Sequence, residues 1–424
     1  MAESLTFTTI GELIKEKREL QGISLSEVAR QTGISKGVLS KIESGETKRP
    51  ELRTLKPIAE ILEIPYEEII ERYINVEHRI GIYRDFLVEV IEVSTPSLIN
   101  QVATKFLENL RNETFTSLEY LYKLASTNLN NDVRLALYNT IVQYARIHGI
   151  PHYIARGLFQ KYLIDRQNLK RMEQSFSDGE EIMHYVEFLT HEDKVNFYYR
   201  MALQAFALKK YEKCIELGKM GHAVDSTENE VKESVALAIC NSYMFTENYH
   251  ELEFHLQLYE RLNYKFIHDR IKFFRAIILA RTGNEKLAIP ILKECLEEST
   301  EKNRLHRVNE LIEALLRVGD LNSLSNILEQ ENKNTIVKDF TPYKYSELGK
   351  YFRNKGVFLA SCNLFDEAME AYLKGMNYYC KIKDSNGIME CSNKIYAHHC
   401  EQNKAMQIGL LNKLHEVYNL VNKG

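Results

Sequence analysis

Five short segments in the second half of this chain repeat one pattern: KKYEKCIELGKMG from Lys209, ENYHELEFHLQLY from Glu247, TGNEKLAIPILKEC from Thr282, VGDLNSLSNILEQ from Val318 and CNLFDEAMEAYLKG from Cys362. Superposed, they put Cys214, Leu252, Ala288, Leu324 and Ala368 at one equivalent position, with spacings of 38, 36, 36 and 44 residues. A unit of that length cannot bury its apolar face alone, so units repeated this way must stack on one another. Only seven prolines occur in 424 residues, glycine is sparse, and no stretch alternates at period two over several strands. The chain therefore reads as all-α. Ala405 falls in register as a weaker sixth unit, 37 residues further on, and the segment Gln330 to Pro342 breaks the period as a longer loop where the array can bend.

These periods sit slightly above the 34 residues of a tetratricopeptide (TPR) repeat. NLFDEAMEAYLKG resembles the turn and second helix of that repeat, whereas the first helices are degenerate, with Tyr198 where Trp often stands. Earlier segments, Val133 to Gly149 and Tyr153 to Ile164, form another helix pair, so the resemblance covers roughly residues 130 to 420. It implies a right-handed TPR-like solenoid whose first helices line a concave groove suited to an extended peptide. The lining positions, by this register, are Asn196, Tyr199, Phe206, Asn241, Met244, Arg270, Phe273, Arg281, His306, Asn309, Glu313 and Arg317. Asparagine offers a donor and an acceptor to peptide backbone, arginine holds carboxylates, and aromatic or methionine side chains make apolar pockets.

The N-terminal part has a different grammar. Within ISLSEVARQTGISKGVLSKIESGETKRP (Ile23 to Pro50), Ser24 can cap a short helix with Val28 and Ala29 inward, Gly33 makes a turn, and Ser35 opens a second helix with Val38, Leu39 and Ile42 inward. That is a helix-turn-helix, with Lys36, Gly37, Ser40 and Lys41 on a small, basic face that can enter a major groove. Ile10, Leu13, Ile14 and Leu20 space out a preceding helix stopped by Gly22; Leu52, Leu55, Ile58, Ala59 and Leu62 face one way in the next, and YEEII restarts the chain after Pro65. The segment from about Ile10 to Ile70 resembles the five-helix Cro/C1 (Xre) type of DNA-binding domain. In that family an arginine late in the first helix pairs with a glutamate near the end of the recognition helix, here Arg18 and Glu43, which the resemblance assigns to structure. The loop GETKRP matches the family's phosphate-contacting loop, which implies backbone contacts from Thr47, Lys48 and Arg49. With Ser24, Ser26 and Ser35 at the helix starts, these are the candidate DNA contacts. Family members often carry glutamine where this chain has Leu25 and the Lys36-Gly37 pair, a departure that thins direct base readout.

The formal charge of -4 argues against a chain that coats nucleic acid, yet residues 15–56 hold ten Lys/Arg against six Asp/Glu, a confined footprint of +4. Such a module usually needs a second copy to bind tightly. Val76, Ile80, Tyr83, Leu87, Val90 and Ile91 predict a connector helix, closed by the turn signal at Ser94 to Ser97. The expected domains are 1–73 (DNA binding), 74–95 (connector) and 96–424 (peptide binding and dimerisation). No apolar run approaches the roughly 18 residues of a membrane span. The seven cysteines, without a C-x-x-C pair, read as reduced core thiols of a cytoplasmic protein. Cys391, His398, His399 and Cys400 match no common zinc spacing, and no P-loop, G-x-S-x-G or paired carboxylate cleft appears. No metal, no cofactor and no enzyme activity is expected.

An Xre-type head, a connector helix and a degenerate TPR array of this length resemble the RRNPP peptide receptors of Gram-positive bacteria and their phages, especially the NprR-like and arbitrium AimR-like branches. The resemblance implies a dimeric transcription regulator whose binding to a double-stranded operator is controlled by a short re-imported signalling peptide, as in quorum sensing, sporulation control or phage lysis-lysogeny communication. It implies peptide contacts at Asn196, Asn241 and Asn309 in particular. The alternative is a protein-interaction switch of the Rap type, which sequesters a signalling protein and is released by peptide.

Overall fold

The computed structural model describes residues 9–74, 80–93, 95–109, 113–127, 129–334 and 341–422. Among them every regular element is helical, with 24 α-helices and two 3-10 segments. Val76 lies outside the described residues, as do the side chains of Leu52 and Ile80. The chain forms two compact units, residues 1–242 and 243–424.

The first unit begins with α1 (Ile10–Leu20), α2 (Leu25–Thr32), α3 (Lys36–Glu43), α4 (Leu52–Ile61) and α5 (Tyr66–Tyr73). Thr9 opens α1 with a reciprocal cap: its hydroxyl accepts from the Glu12 N–H at 3.2 Å, and the Glu12 carboxylate accepts from the Thr9 N–H at 2.6 Å. Ser24 and Ser35 cap α2 and α3 through the N–H groups of Glu27 and Val38. Gly33 ends α2 at φ +71°, a left-handed turn that glycine makes without strain. Leu13, Ile14, Val28, Leu39, Ile42, Leu55 and Ile58 form the head's core. Each such side chain fully buried stabilises the fold by about 1.5–3 kcal/mol.

Two expected core residues lie elsewhere. Leu20 is 74% exposed although it lies two turns from Leu13 on the same side of α1: it is the helix's last residue, and burial on that stripe stops at Ile14. Val38 is 42% exposed: Leu39 and Ile42 define the inward line of α3, and the residue before Leu39 is turned to its edge.

The unit continues with α6 (Ile80–Val93), α7 (Pro96–Leu107), α8 (Thr114–Ala125), α9 (Asn131–Ile147), α10 (Pro151–Asp165), α11 (Met172–Glu180), α12 (His191–Ala207), α13 (Tyr211–Val224) and most of α14 (Glu230–Phe245). Helix α6 is held to the head: the Tyr73 and Phe86 rings meet edge to face at 5.3 Å, Tyr83 donates to the Ile74 carbonyl at 3.1 Å, and Lys56 pairs with Glu89 at 2.6 Å.

The second unit holds α15 (Tyr249–Arg261), α16 (Lys265–His268), α17 (Ile271–Arg281), α18 (Glu285–Glu297), α19 (Arg304–Val318), α20 (Leu321–Asn334), α21 (Pro342–Ser361), α22 (Phe365–Cys380), α23 (Ser385–Glu401) and α24 (Ile408–Asn422). Across both units the repeat is visible in the backbone. Lys209, Glu247, Gly283, Gly319, Asn363 and Asn403 each have φ between +50° and +85° at the end of a first helix. The N–H of the next residue donates to the carbonyl five positions earlier in every case, from Lys210 to Ala205 (2.8 Å) through Leu364 to Leu359 (2.9 Å) and Lys404 to His399 (3.0 Å). Cys214, Leu252, Ala288, Leu324 and Ala368 are all fully buried. Ala405 is instead exposed in the turn before α24, whose first helical residue comes later than the period requires. Helix α20 runs to Asn334, so the first part of the loop expected from Gln330 is helical.

No cysteine forms a disulfide; Cys214, Cys240, Cys295 and Cys391 are buried, Cys362 and Cys380 half-buried, and Cys400 exposed. Burial pushes the Cys214 thiol up to about 11 and Cys391 up to about 12, so both stay protonated and inert. Among the described residues no helix is long and apolar enough to cross a membrane.

Candidate nucleic-acid interface and charged ladder of the array

The outward face of α3 is small and basic, and the other candidate DNA contacts of the head are also open to solvent. Ser24, Ser26, Ser35, Lys36, Gly37, Ser40, Lys41, Lys48 and Arg49 are exposed, and Thr47 is half-exposed. Behind this face, Arg18 of α1 makes a two-pronged pair with Glu43 at the end of α3, Nε to Oε1 at 2.7 Å and Nη2 to Oε2 at 2.8 Å. Its remaining nitrogen donates to the Ile23 carbonyl at 3.1 Å, so one guanidinium ties α1, the entrance to α2 and α3. The hydrogen bonds to Glu43 outweigh partial burial and push the Arg18 pKa up, which keeps it charged. Both side chains are largely buried and neither faces outward with the lysines. At Gly11 the two helices approach so closely that a Cβ would sit 2.0 Å from the Ile42 carbonyl oxygen. Beyond α3 the Thr47 N–H returns to the Lys41 carbonyl at 2.9 Å, which folds the Thr47–Arg49 loop beside the recognition helix.

The residues expected to line a peptide groove are placed in several environments. In the first unit Asn196 accepts from Arg200 Nε at 3.1 Å, Phe206 rests on Tyr211, and Asn241 is half-exposed. Tyr199 is buried and donates to Asp225 at 2.9 Å, so its hydroxyl is spent inside the fold. In the second unit Met244 and Phe273 are buried, Arg270 is exposed and donates to the Phe266 carbonyl, and Arg317 caps the Ala280 carbonyl. Asn309 is fully buried; its amide nitrogen donates to the Glu347 carbonyl and carboxylate, at 2.9 and 2.7 Å, and its oxygen has no hydrogen-bond partner.

Arg281, His306, Asn309 and Glu313 come together in a ladder of charge on α17, α19 and α21. Glu310 accepts from Arg281 at 2.9 Å and from Lys350 at 2.7 Å; Glu313 meets Arg281 at 2.5 Å, Lys350 at 3.2 Å and Arg353 at 3.4 Å; His306 lies 3.3 Å from Glu347. Arg353 continues the chain of pairs to Glu390 on α23. Burial alone would raise the Glu310 carboxyl, but Lys350 and Arg281 outweigh it and hold it well below the usual range. Burial likewise opposes the charge on His306, and Glu347 beside it wins and pushes the imidazole pKa up. Glu310, Glu347, Lys350 and Arg353 escaped the sequence reading because their partners lie 29 to 41 residues away, one repeat along, where local spacing carries no sign of a pair. A charged side chain recurring at one repeat position in successive first helices is the signal that finds them.

Cys391 lies in the core around α22 and α23, and His398 meets the Tyr372 hydroxyl at 3.1 Å. Among the described residues no group of three His, Cys, Asp or Glu is placed to hold a metal ion.

Residues 14–69 match the family model described as Helix-turn-helix. The same region is similar to regulators of Bacillus subtilis (strain 168). It is 33% identical over 60 residues to the HTH-type transcriptional regulator RghRB (14% of this chain, 43% of that protein) and 33% over 72 residues to the HTH-type transcriptional repressor RghR (16% and 53%). To the HTH-type transcriptional regulator SlrR it is 26% identical over 122 residues (28% and 80%). The chain thus spans about half the length of RghRB and RghR. Three solved structures align over more of it. These are a Rap protein complexed with Competence and Sporulation Factor (9% identity, 79% of this chain and 99% of that one, TM-score 0.39) and SeMet-phAimR (13%, 97% and 100%, 0.36). The third is Bacillus thuringiensis PlcR in complex with the peptide PapR7 and DNA (16%, 92% and 99%, 0.23). At such identities and scores these likenesses say nothing of what this chain binds.

Proposed function

We propose that this chain is a transcription regulator that grips a double-stranded operator as a homodimer, and that a short signalling peptide bound along the first helices of the array controls that grip. The observation that carries the reading is an intact helix-turn-helix head, with every candidate DNA contact at least half-exposed, followed in the same chain by stacked helical pairs. A head with a net charge of +4 over residues 15–56 gains most from pairing with a second head, since two half-sites multiply affinity and fix spacing. In this reading residues 1–73 contact DNA, 74–95 connect, and 96–424 bind peptide and dimerise. Helix α6, tied to the head by Tyr73–Phe86 and Lys56–Glu89, passes a change in the array to the head. Within the first unit the half-exposed Asn196 and Asn241 offer polar contacts to peptide, and within the second Arg281, Glu313 and the charges around them do. The regulator acts in the cytoplasm, where operator and re-imported peptide meet, and needs no enzymatic step.

The test measures the thermal midpoint and oligomeric mass of the full chain with synthetic peptides drawn from small secreted reading frames encoded beside its gene, then operator binding with and without the peptide that responds. One peptide raising the midpoint by several degrees and changing DNA affinity supports the proposal. A DNA-binding dimer indifferent to every such peptide sinks the peptide half and leaves the DNA half standing.

A further inference from the structure

The outward face of α3 carries only lysine among the side chains that read bases by paired hydrogen bonds. Among its exposed positions, Lys36, Gly37, Val38, Ser40 and Lys41, there is no arginine, asparagine or glutamine. Two of these residues call for explanation. Gly37 sits in the first turn of the helix without a positive φ, and a Cβ added there would meet nothing within 4 Å, so neither turn geometry nor packing demands glycine. Glycine weakens a helix relative to alanine. Val38 is 42% exposed on a helix whose other branched apolar residues, Leu39 and Ile42, are fully buried. It lies one turn from Lys41, on the side of the face that Gly37 leaves low.

We propose that α3 reads its operator chiefly by apolar contact: the Val38 methyls meet the C5-methyl of a thymine in the major groove, and the missing Cβ of Gly37 lets the helix backbone come close enough to reach it. Thymine alone among the bases carries that methyl, so a valine at the groove edge selects a base without a hydrogen bond. Lys36 and Lys41 add preference for guanine, whose O6 and N7 both accept. The selected half-site therefore contains a thymine under Val38 with guanine near it. The inference rests on the DNA-binding reading and goes beyond it.

To test it, duplexes are selected from a random pool with the full chain, and each thymine of the recovered half-site is then replaced by uracil, which removes only the methyl. One replacement per half-site is expected to weaken wild-type binding by about three- to tenfold. Val38→Ala should bind the thymine duplex about as weakly as wild type binds the uracil one, and should not distinguish the two. Gly37→Ala should match or exceed the wild-type thermal midpoint yet bind at least about tenfold more weakly. Uniform tolerance of uracil, a Val38→Ala protein that still distinguishes the two bases, or a Gly37→Ala protein with wild-type affinity would overturn the proposal. So would a Val38→Ala protein that changes only oligomeric mass. Recovery of no duplex at all would instead remove the DNA-binding reading beneath it.

Discussion

The Arg18–Glu43 pair gives the head its sharpest test. Replacing Glu43 with alanine removes two of the three hydrogen bonds of the Arg18 guanidinium, the pair at 2.7 and 2.8 Å, and leaves only the 3.1 Å bond to the Ile23 carbonyl. The side chains are 13% and 7% exposed, so a nearly buried charge loses its close counter-charge and keeps only Glu19, 3.6 Å away and 57% exposed. Breaking such a pair from one side costs about 3–5 kcal/mol. Arg18 keeps one bond and some solvent, which places the cost near the lower end, about 3 kcal/mol, or on the order of 100-fold in the opening equilibrium of the head. Hydrogen exchange of the full chain, followed by mass spectrometry of peptides from α1 and α3, reads this directly: protection there should fall by that factor, while peptides from α21 and α22 keep wild-type rates. The double substitution Arg18→Met with Glu43→Leu removes both charges and should recover most of the protection, and with it DNA binding. Wild-type exchange in Glu43→Ala, or a double variant as unprotected as the single one, would refute the structural role; loss of DNA binding in a fully protected double variant would mean that the pair touches DNA.

Gly11→Ala forces a methyl against the Ile42 carbonyl oxygen, 2.0 Å from the ideal Cβ, and should destabilise the head by about 1–3 kcal/mol, measured as a lower midpoint for α1 and α3 exchange. Lys48→Ala should weaken DNA binding almost equally on every sequence and reduce the slope of log affinity against log salt by about 0.9 per head, whereas Lys41→Ala should alter which sequences are preferred. The His306–Glu347 pair sets a pH dependence of the second unit. The imidazole is raised above its ordinary 6.5, with Glu310 adding to Glu347 and Lys350 opposing, so its contribution is complete below that value and lost as pH rises through the raised one. The Glu347 carboxyl is lowered from 4.5, so its contribution is complete above that value and lost as pH falls. Thermal midpoints taken from pH 5 to 9 should decline on the alkaline side, and His306→Gln should flatten that decline; an unchanged slope would refute the pairing.

Much of the fold is legible in the residues themselves. Ser24, Gly33 and Ser35 mark the caps and turn of the helix-turn-helix because capping chemistry is local, and the buried repeat position follows from period alone. What escapes is whatever depends on the angle of one residue against a neighbouring helix. Val38 counts as apolar in a helical pattern, yet it sits at the margin of a face that Leu39 and Ile42 already fill. Asn309 reads as a groove asparagine and is buried against Glu347, a partner 38 residues away that only stacking brings near. Tyr199 is drawn inside in the same way by Asp225. Candidate groove positions chosen by register mix core and surface because adjoining residues of a first helix differ by about 100° in direction.

The left-handed turn that closes successive first helices is occupied by Lys209, Glu247, Gly283, Gly319, Asn363 and Asn403, so glycine and asparagine, which favour that backbone angle, are joined by two residues that do not. The array therefore keeps its phase in main-chain bonds and leaves its side chains at liberty to diverge, which is why its units barely resemble one another as text. Length changes leave the joints alone: Phe365 follows Leu321 by 44 residues instead of 36, α21 has 20 residues where α19 has 15, and the turns at Gly319 and Asn363 are still made in the same way. An array written like this can gain or lose a whole unit, and with it a stretch of inner surface, without altering the joints that remain.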